Sequence, residues 1–335
     1  MSEGLAVIGI DHRHCYTMVA NLIEAGAHLV GWATEGEPGT LEGWVKRYPE
    51  APRRSEAELL ADPEVSIVVT AGVPSERPGI ACRAMRAGKH VLSDKPGALT
   101  QDDLDAIRRT AGETGRIWAV DFSERFEVPG MTRVSRLVAE GAIGEVIDVT
   151  LLAPHRLNAP SRPDWFWDHA KGGGILADIG SHQIEQVLHL SGSADADADA
   201  EILFAETSCL RAPPFQDRGR IAMRAGRTTG TILLHWYTPG ALPSWGDGRL
   251  FVTGTEGFVE IRKYVDPGGA AGGDHVILVN DDRIERWQAS DEPLPFFATF
   301  LDGVRTGRMP DPDHPFRVTA LAIAAQEMAD AAETC

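Results

Sequence analysis

The chain is poor in cysteine. Cys15, Cys82, Cys209 and Cys335 are scattered through 335 residues, with no CxxC pair and no metal-ligand spacing. That excludes a disulfide-stapled fold and a zinc-ribbon class, and it fits unpaired thiols in a reducing compartment. Long hydrophobic runs are absent as well. None approaches the roughly 20 residues that a membrane span needs. The start, Met-Ser-Glu-Gly, has no basic stretch and no cleavable apolar segment, so we expect no secretory signal and a cytoplasmic location. Basic charge is scarce: 32 Lys and Arg stand against 49 Asp and Glu, leaving −17. A nucleic-acid or anionic-membrane partner would require the phosphate-neutralising charge that is missing. Part of the acid is local, alternating with alanine over residues 194–201, as in a solvated loop.

What is present is a change of texture along the chain. A length of 335 residues favours two domains. Over the first third, short apolar runs at 5–10, 28–33, 65–71, 90–93 and 117–121 alternate with helical spacing at 16–25, 41–48, 55–60, 77–87 and 100–115. Strand and helix in regular alternation imply a doubly wound parallel sheet. Ser55 is placed to cap one helix, and Thr100 with Asp103 has capping-box spacing at another. After residue 121 come a helix at 129–140 and a strand at 145–153. Strand patterns then follow one another at 200–208, 219–225, 230–237, 249–254, 258–263 and 275–280 without helices between them. That is the mark of an antiparallel sheet. Helices at 296–307 and 316–332 close the chain. The expected fold class is therefore α/β: residues 1–122 hold a doubly wound sheet, 123–312 an α+β domain with a large open, mainly antiparallel sheet, and 313–335 a terminal helix packing back on the first domain.

The run Gly172-Gly173-Gly174-Ile175-Leu176-Ala177-Asp178-Ile179-Gly180-Ser181-His182-Gln183-Ile184-Glu185 carries the strongest chemical signal. On one α-helix, Asp178, His182 and Glu185 would share a face. A carboxylate beside an imidazole, entered through glycines, is what proton transfer needs. An acid-lined helix start with a polar histidine is the plainer alternative. The three could also form a facial metal set, but no further ligand spacing stands out, and no metal is expected.

A dinucleotide turn would fall after the first strand. It reads Gly9-Ile10-Asp11-His12-Arg13-His14, with only the first glycine of the GxGxxG pattern. Asp11 adds bulk and like charge beside a pyrophosphate, whereas His12 and Arg13 can donate to one. A turn that binds nothing, with Asp11 as a cap, is the alternative. The second strand ends in Thr34-Glu35, where an acid accepts from ribose hydroxyls and disfavours a 2′-phosphate; NAD is therefore slightly preferred over NADP. Further on, His155, Arg156 and Asn158, followed by Trp165 and Trp167, suit a polyol, with indole faces for C–H and polar groups for hydroxyls. The tryptophans serve equally well as core.

These pieces together resemble the Gfo/Idh/MocA oxidoreductase family. Ala87-Gly88-Lys89-His90-Val91-Leu92-Ser93-Asp94-Lys95-Pro96 looks like its AGKHVxxEKP segment, with Asp94 for glutamate. The run from Gly172 to Glu185 looks like its GGGxLxDxGxHxxD helix, and Gly254-Thr255-Glu256-Gly257 like its GTxG turn. The resemblance covers nearly the whole chain. It implies an N-terminal Rossmann domain, a C-terminal domain whose open sheet makes a homodimer or homotetramer, and NAD or NADP as cofactor. It implies catalytic roles for Lys95, Asp178 and His182, and a frequently cis peptide before Pro96. Cofactor contacts are expected at Gly9, Ile10, Asp11, His12, Arg13, Thr34, Glu35, Ala71, Pro74, Asp94, Lys95 and Pro96. Substrate contacts are expected at Lys95, His155, Arg156, Asn158, Trp165, Asp178 and His182. The expected activity is hydride transfer between nicotinamide and a secondary alcohol or ketone of a sugar, inositol or related polyol. Two alternatives stay open: a non-catalytic sensor of sugar or dinucleotide on the same fold, and tightly held NAD used in a transient redox step for elimination or epimerisation.

Overall fold

The computed structural model describes residues 2–191 and 199–332. Most of the alanine–acid run and Cys335 lie outside the described residues. In chain order the first elements are β1 (Gly4–Ile8), α1 (His14–Glu24), β2 (His28–Ala33), α2 (Leu41–Arg47), α3 (Glu56–Ala61) and β3 (Val65–Thr70). They continue with α4 (Arg77–Arg86), β4 (His90–Asp94), α5 (Gln101–Thr114) and β5 (Trp118–Asp121). Then come α6 (Ser123–Phe126), α7 (Pro129–Ala139), β6 (Val146–Pro154), the short turns α8 (Asp164–Trp167) and α9 (His169–Gly172), and α10 (Ser181–Leu190). The strands β7 (Glu201–Ser208), β8 (Arg218–Ala225), β9 (Thr228–His235), β10 (Arg249–Gly254), β11 (Gly257–Arg262), β12 (His275–Asn280) and β13 (Ile284–Gln288) follow. The helices α11 (Pro295–Thr306) and α12 (His314–Ala331) end the described chain.

Two compact units emerge. The first comprises Met1–Asp121, Pro160–Gly173 and Pro295–Ala320, and the second Phe122–Ala159, Gly174–Leu294 and Leu321–Cys335.

The first unit is built on a five-stranded sheet in the order β2-β1-β3-β4-β5, parallel at every pairing. Strand order reverses between β1 and β3, so the carboxyl ends there make a switch point where open α/β sheets take ligands. Strand interiors are apolar on both faces because helices cover both: β1 is buried throughout and β3 nearly so. Leu5, Val7, Met18, Leu22, Val69 and Leu92 form the core, and Phe297, Phe300 and Leu301 of α11 complete it. The cap at Ser55 closes as a full capping box, whereas Thr100 caps α5 and gives its hydroxyl hydrogen to the Asp103 carboxylate without the reciprocal backbone bond. Ser55 accepts from Glu58 N–H at 3.2 Å while the Glu58 carboxylate takes Ser55 N–H at 2.9 Å. Thr100 accepts from Asp103 N–H at 3.2 Å.

The second unit is built on an eight-stranded sheet, β13-β12-β11-β10-β6-β9-β8-β7. Every pairing is antiparallel except β6 with β9. Its strands alternate buried and less buried positions, as a sheet covered on one face does. The helices α7 and α10 pack on it. β13 has no counterpart in the sequence reading: Ile284-Glu285-Arg286-Trp287-Gln288 is largely polar, and its backbone pairing to β12 decides its state.

Among the described residues no helix is long and apolar enough to cross a membrane. Cys15 and Cys82 are free and buried, whereas Cys209 is disulfide-bonded, which corrects the expectation of unpaired thiols throughout.

Candidate active site

In the first unit, the turn after β1 is shaped by backbone contact before any ligand is considered. Gly9 has φ +82°, and a Cβ there would sit 2.7 Å from the Cα of Gly72. The glycine therefore serves the close passage of two segments, since Gly9 accepts from Ala71 N–H at 3.1 Å and His12 N–H donates to the Ala71 carbonyl at 2.8 Å. Ile10 is fully buried and its carbonyl accepts from Thr40 Oγ1. Ala71 and Pro74 are buried behind the turn.

The Asp94 carboxylate is the electrostatic centre of this unit. It is completely buried and takes three donors: His12 Nδ1 at 2.7 Å, His14 Nδ1 at 2.8 Å and Arg77 Nη2 at 3.0 Å. Burial by itself would raise its pKa; the Arg77 guanidinium and the two imidazoles overcome that and hold it well below the usual carboxylate range. Arg77 is buried too, donating through Nε to the Gly72 carbonyl at 2.8 Å and through Nη1 to the Lys95 carbonyl. One cation thus ties the turn after β3 to the Asp94-Lys95 segment. Burial, against the pull of Asp94, lowers the His12 pKa to about 4, so the ring is neutral at neutral pH. A neutral ring facing an ionised carboxylate must carry its proton on Nδ1, which leaves Nε2 as an acceptor. Asp11 is pushed upward, first by burial and then by Glu76.

His12, His14 and Asp94 also make the one close trio of metal-ligating atoms found among the described residues. Both histidines stand at hydrogen-bond distance from Asp94, 2.7 and 2.8 Å, shorter than the roughly 3.3 Å edge of a tetrahedron with bonds of about 2.0 Å around zinc. With Arg77 on the same oxygen, a hydrogen-bond cluster describes the group better than a metal centre.

Lys95 is buried and its peptide to Pro96 is cis. Glu35 is exposed at the end of β2, and the half-buried Thr34 has a hydroxyl oxygen with no hydrogen-bond partner. Arg53 donates to the Thr34 and Gly36 carbonyls at 3.1 and 3.4 Å. Trp165 belongs to this unit. Its ring stands edge-on to His12 at 6.3 Å, and its buried Nε1 has no hydrogen-bond partner.

In the second unit, Asp178 does not lie on one continuous α-helix with His182. Residues Leu176–Gly180 form a π-helical turn, and α10 begins at Ser181. The wider turn changes the face that an offset of four would give. The turn is held at its entry by two glutamines: Gln326 accepts from Leu176 N–H at 3.1 Å and Ala177 N–H at 3.3 Å, and Gln216 from Ile175 N–H at 3.4 Å. Gly174 makes room for them, since a Cβ there would stand 2.5 Å from Gln216 Oε1. His182 is 2% exposed, with its ring edge-on to Phe122 at 6.4 Å. Glu185 is turned to Arg125, whose Nε reaches its two oxygens at 2.7 and 2.9 Å, so the facial set considered from the sequence does not assemble.

Four buried residues near His182 escaped the sequence reading. Glu124 is 4% exposed, takes Gln183 Nε2 at 2.9 Å, and faces Lys263 Nζ at 3.6 Å and His155 Nε2 at 3.3 Å. Lys263 Nζ donates to the Glu124 carbonyl at 2.9 Å and to Gln186 Oε1 at 2.6 Å. Glu124 is followed by Arg125 and Lys263 preceded by Arg262, so surface charge explains both equally well from the sequence. His155 packs against Trp245 at 4.5 Å and Trp236 at 5.5 Å. Arg156 donates to the Pro239 carbonyl at 3.0 Å and to the Leu242 carbonyl, closing that loop. Asn158 is exposed, with φ +47°.

Comparison with known proteins fits this architecture. Residues 6–122 match the model of an oxidoreductase family with an NAD-binding Rossmann fold, and residues 131–260 match the GFO/IDH/MocA C-terminal domain. The chain belongs to the Gfo/Idh/MocA family. A crystal structure of an oxidoreductase candidate from Erwinia carotovora atroseptica is 36% identical, covers 97% of this chain and 98% of its own, and superposes with a TM-score of 0.92. Levoglucosan dehydrogenase, solved with NADH and levoglucosan, shares the fold at 17% identity and a TM-score of 0.80, over 99% of this chain and 98% of its own. The NADP+-dependent scyllo-inositol 2-dehydrogenase of Bacillus subtilis is 31% identical over 157 residues, 45% of this chain and 42% of that protein. Matches to such curated relatives span less than half of their length.

Proposed function

We propose that the protein is an NAD(P)-dependent oxidoreductase that moves a hydride between nicotinamide and a secondary alcohol or ketone of a sugar, inositol or related polyol. The observation that carries this reading is a nearly buried histidine, His182, following Asp178 in a π-turn, in a chain whose other unit matches an NAD-binding model and holds the buried Lys95. Relatives named for scyllo-inositol, D-xylose and levoglucosan support a polyhydroxylated substrate.

The first unit fits a dinucleotide. Thr34 Oγ1 and Trp165 Nε1 are buried and lack partners, and ribose hydroxyls and phosphate oxygens supply groups of both kinds. When bound, nicotinamide accepts the hydride that leaves the carbinol carbon. The protein moves the proton: neutral His182 takes it from the hydroxyl, the Lys95 ammonium stabilises the developing alkoxide, and Asp178 orients the hydroxyl. Polyol contacts fall to His155, Arg156, Asn158 and Trp165. Exposed Glu35 favours NAD, and Arg53 is already committed to backbone carbonyls. NAD+ is expected to bind at least about tenfold more tightly than NADP+ by calorimetry. The converse order would overturn the Glu35 assignment. His182→Ala is expected to cut turnover about 10²–10⁴-fold with the fold intact. Unchanged turnover would sink its role as base.

A sensor without catalysis is the second reading, and the acceptor-bearing His12 beside Asp11 favours it. Folded protein that binds a polyol but neither dinucleotide would establish it.

A further inference from the structure

The strongest unassigned feature is the buried charge beneath α10. Glu124, Lys263, Gln183 and Gln186 are each at most 4% exposed, and they come from α6, the residue after β11 and α10. Their hydrogen bonds form one path. Gln183 Nε2 donates to Glu124 Oε2 at 2.9 Å; Gln186 Nε2 donates to Gln183 Oε1 at 3.2 Å and to the His182 carbonyl at 2.8 Å; Lys263 Nζ donates to Gln186 Oε1 at 2.6 Å. The path therefore ends on the backbone of His182. Three residues on, Arg125 grips Glu185 of the same helix.

We propose that Glu124 is a positioning residue for His182: a fixed anion, tied to α10 through Gln183 and through Gln186 to the His182 carbonyl, that holds the turn carrying the imidazole and stands as its counter-charge once it has taken the substrate proton. This rests on the reading of His182 as the base.

Two alternatives are weaker. A network that serves packing alone would be replaceable by apolar groups at little cost, and it would need no charge. Here a carboxylate has been buried at the cost of burying a lysine beside it. The other groups facing Glu124 are His155 and Lys263, both cationic or able to become so, with Tyr264 and Asp274 beyond Lys263. Burial would raise Glu124; His155, Lys263 and His182 outweigh it and keep the carboxyl ionised. The same attraction acts in reverse on His182.

The test uses the full chain with ¹⁵N-labelled histidine, and assigns His182 by its loss in His182→Ala. Glu124→Gln keeps the shape and an acceptor for Gln183 but removes the charge. Its His182 titration midpoint is expected to move to lower pH by about 0.5 unit or more, and Glu124→Asp is expected to restore most of it. If Glu124→Gln does not fold, Gln183→Met decides, because it spares every charge and cuts the link to the helix; a smaller shift of the same sign is expected. An unmoved His182 in a folded variant overturns the proposal, whatever happens to thermal stability. Hydride transfer in the wild type whose pH profile Glu124→Gln leaves unchanged also overturns it, while sparing the functional reading. A Glu124-dependent His182 titration in a protein with no hydride transfer upholds the coupling and removes that reading instead.

Discussion

Asp94 shows how one side chain can set the state of several. Its two oxygens serve two imidazoles and a guanidinium, which come from the turn after β1 and from the first residues of α1 and α4. Asp94→Asn would leave Arg77 buried without its counter-charge. The expected cost is about 3–5 kcal/mol by denaturant unfolding, as for other broken buried ion pairs. His12 makes a separate prediction. With its pKa at about 4 in the fold and near 6.5 unfolded, the unfolded chain binds the proton first. Its contribution to stability is complete above pH 6.5 and is lost as pH falls toward 4. His90, lowered to about 4 by burial and then by Arg116, acts with the same sign. Asp274, raised to about 6 by burial, acts oppositely: its contribution is complete below about 4 and fades as pH rises through 6. Urea midpoints at pH 7 and 5 should therefore differ less in His12→Asn than in the wild type.

At the scale of elements, the parallel sheet was readable because its strands are apolar on both faces and its helices end on Gly26, Gly88 and Gly115, each with positive φ. The antiparallel sheet was readable from alternation in β8–β12. β13 was not, because an edge strand with five largely polar residues has no period of its own. The site motifs were visible as residues but not as geometry. A π-turn at Leu176–Gly180 leaves no trace in a pattern of offsets, since the same letters serve an α-helix. Nor could the sequence show that Glu185 faces Arg125, or that Glu124 and Lys263 meet, because these partners lie 60 and 139 residues apart. The sequence marks Gly9 as the first glycine of the turn pattern and an expected cofactor contact, and the structure adds a second demand on it. Gly9→Ala should destabilise the first unit by about 1–3 kcal/mol whether or not cofactor is present, through the positive φ and the contact with Gly72. A thermal shift equal to that of the wild type would refute the contact argument.

At the scale of the molecule, the chain is divided so that each unit draws on distant segments. α11 and the short turns at 164–172 belong with the first sheet, although strands of the second precede or surround them in sequence. The second unit's sheet carries Phe258 at 39% exposure and half-buried Leu233 and Phe251 on strands whose alternate positions are buried. We expect this face to make a homodimer or homotetramer; light scattering after gel filtration would show it, and a monomer at micromolar concentration would refute it. A net charge of −17 should make that association stronger as salt screens the repulsion.

The shared carboxylate of Asp94 has a consequence for how sequences near it can change. Three residues whose energies pass through one anion are not independent: once Asp94 is gone, altering His14 removes little more and altering Arg77 takes away the uncompensated charge. Double-mutant cycles among these positions should deviate from additivity by about 0.5–3 kcal/mol. Substitutions tolerated singly in a relative would then be poor guides here, since the order in which they are introduced decides whether each intermediate folds.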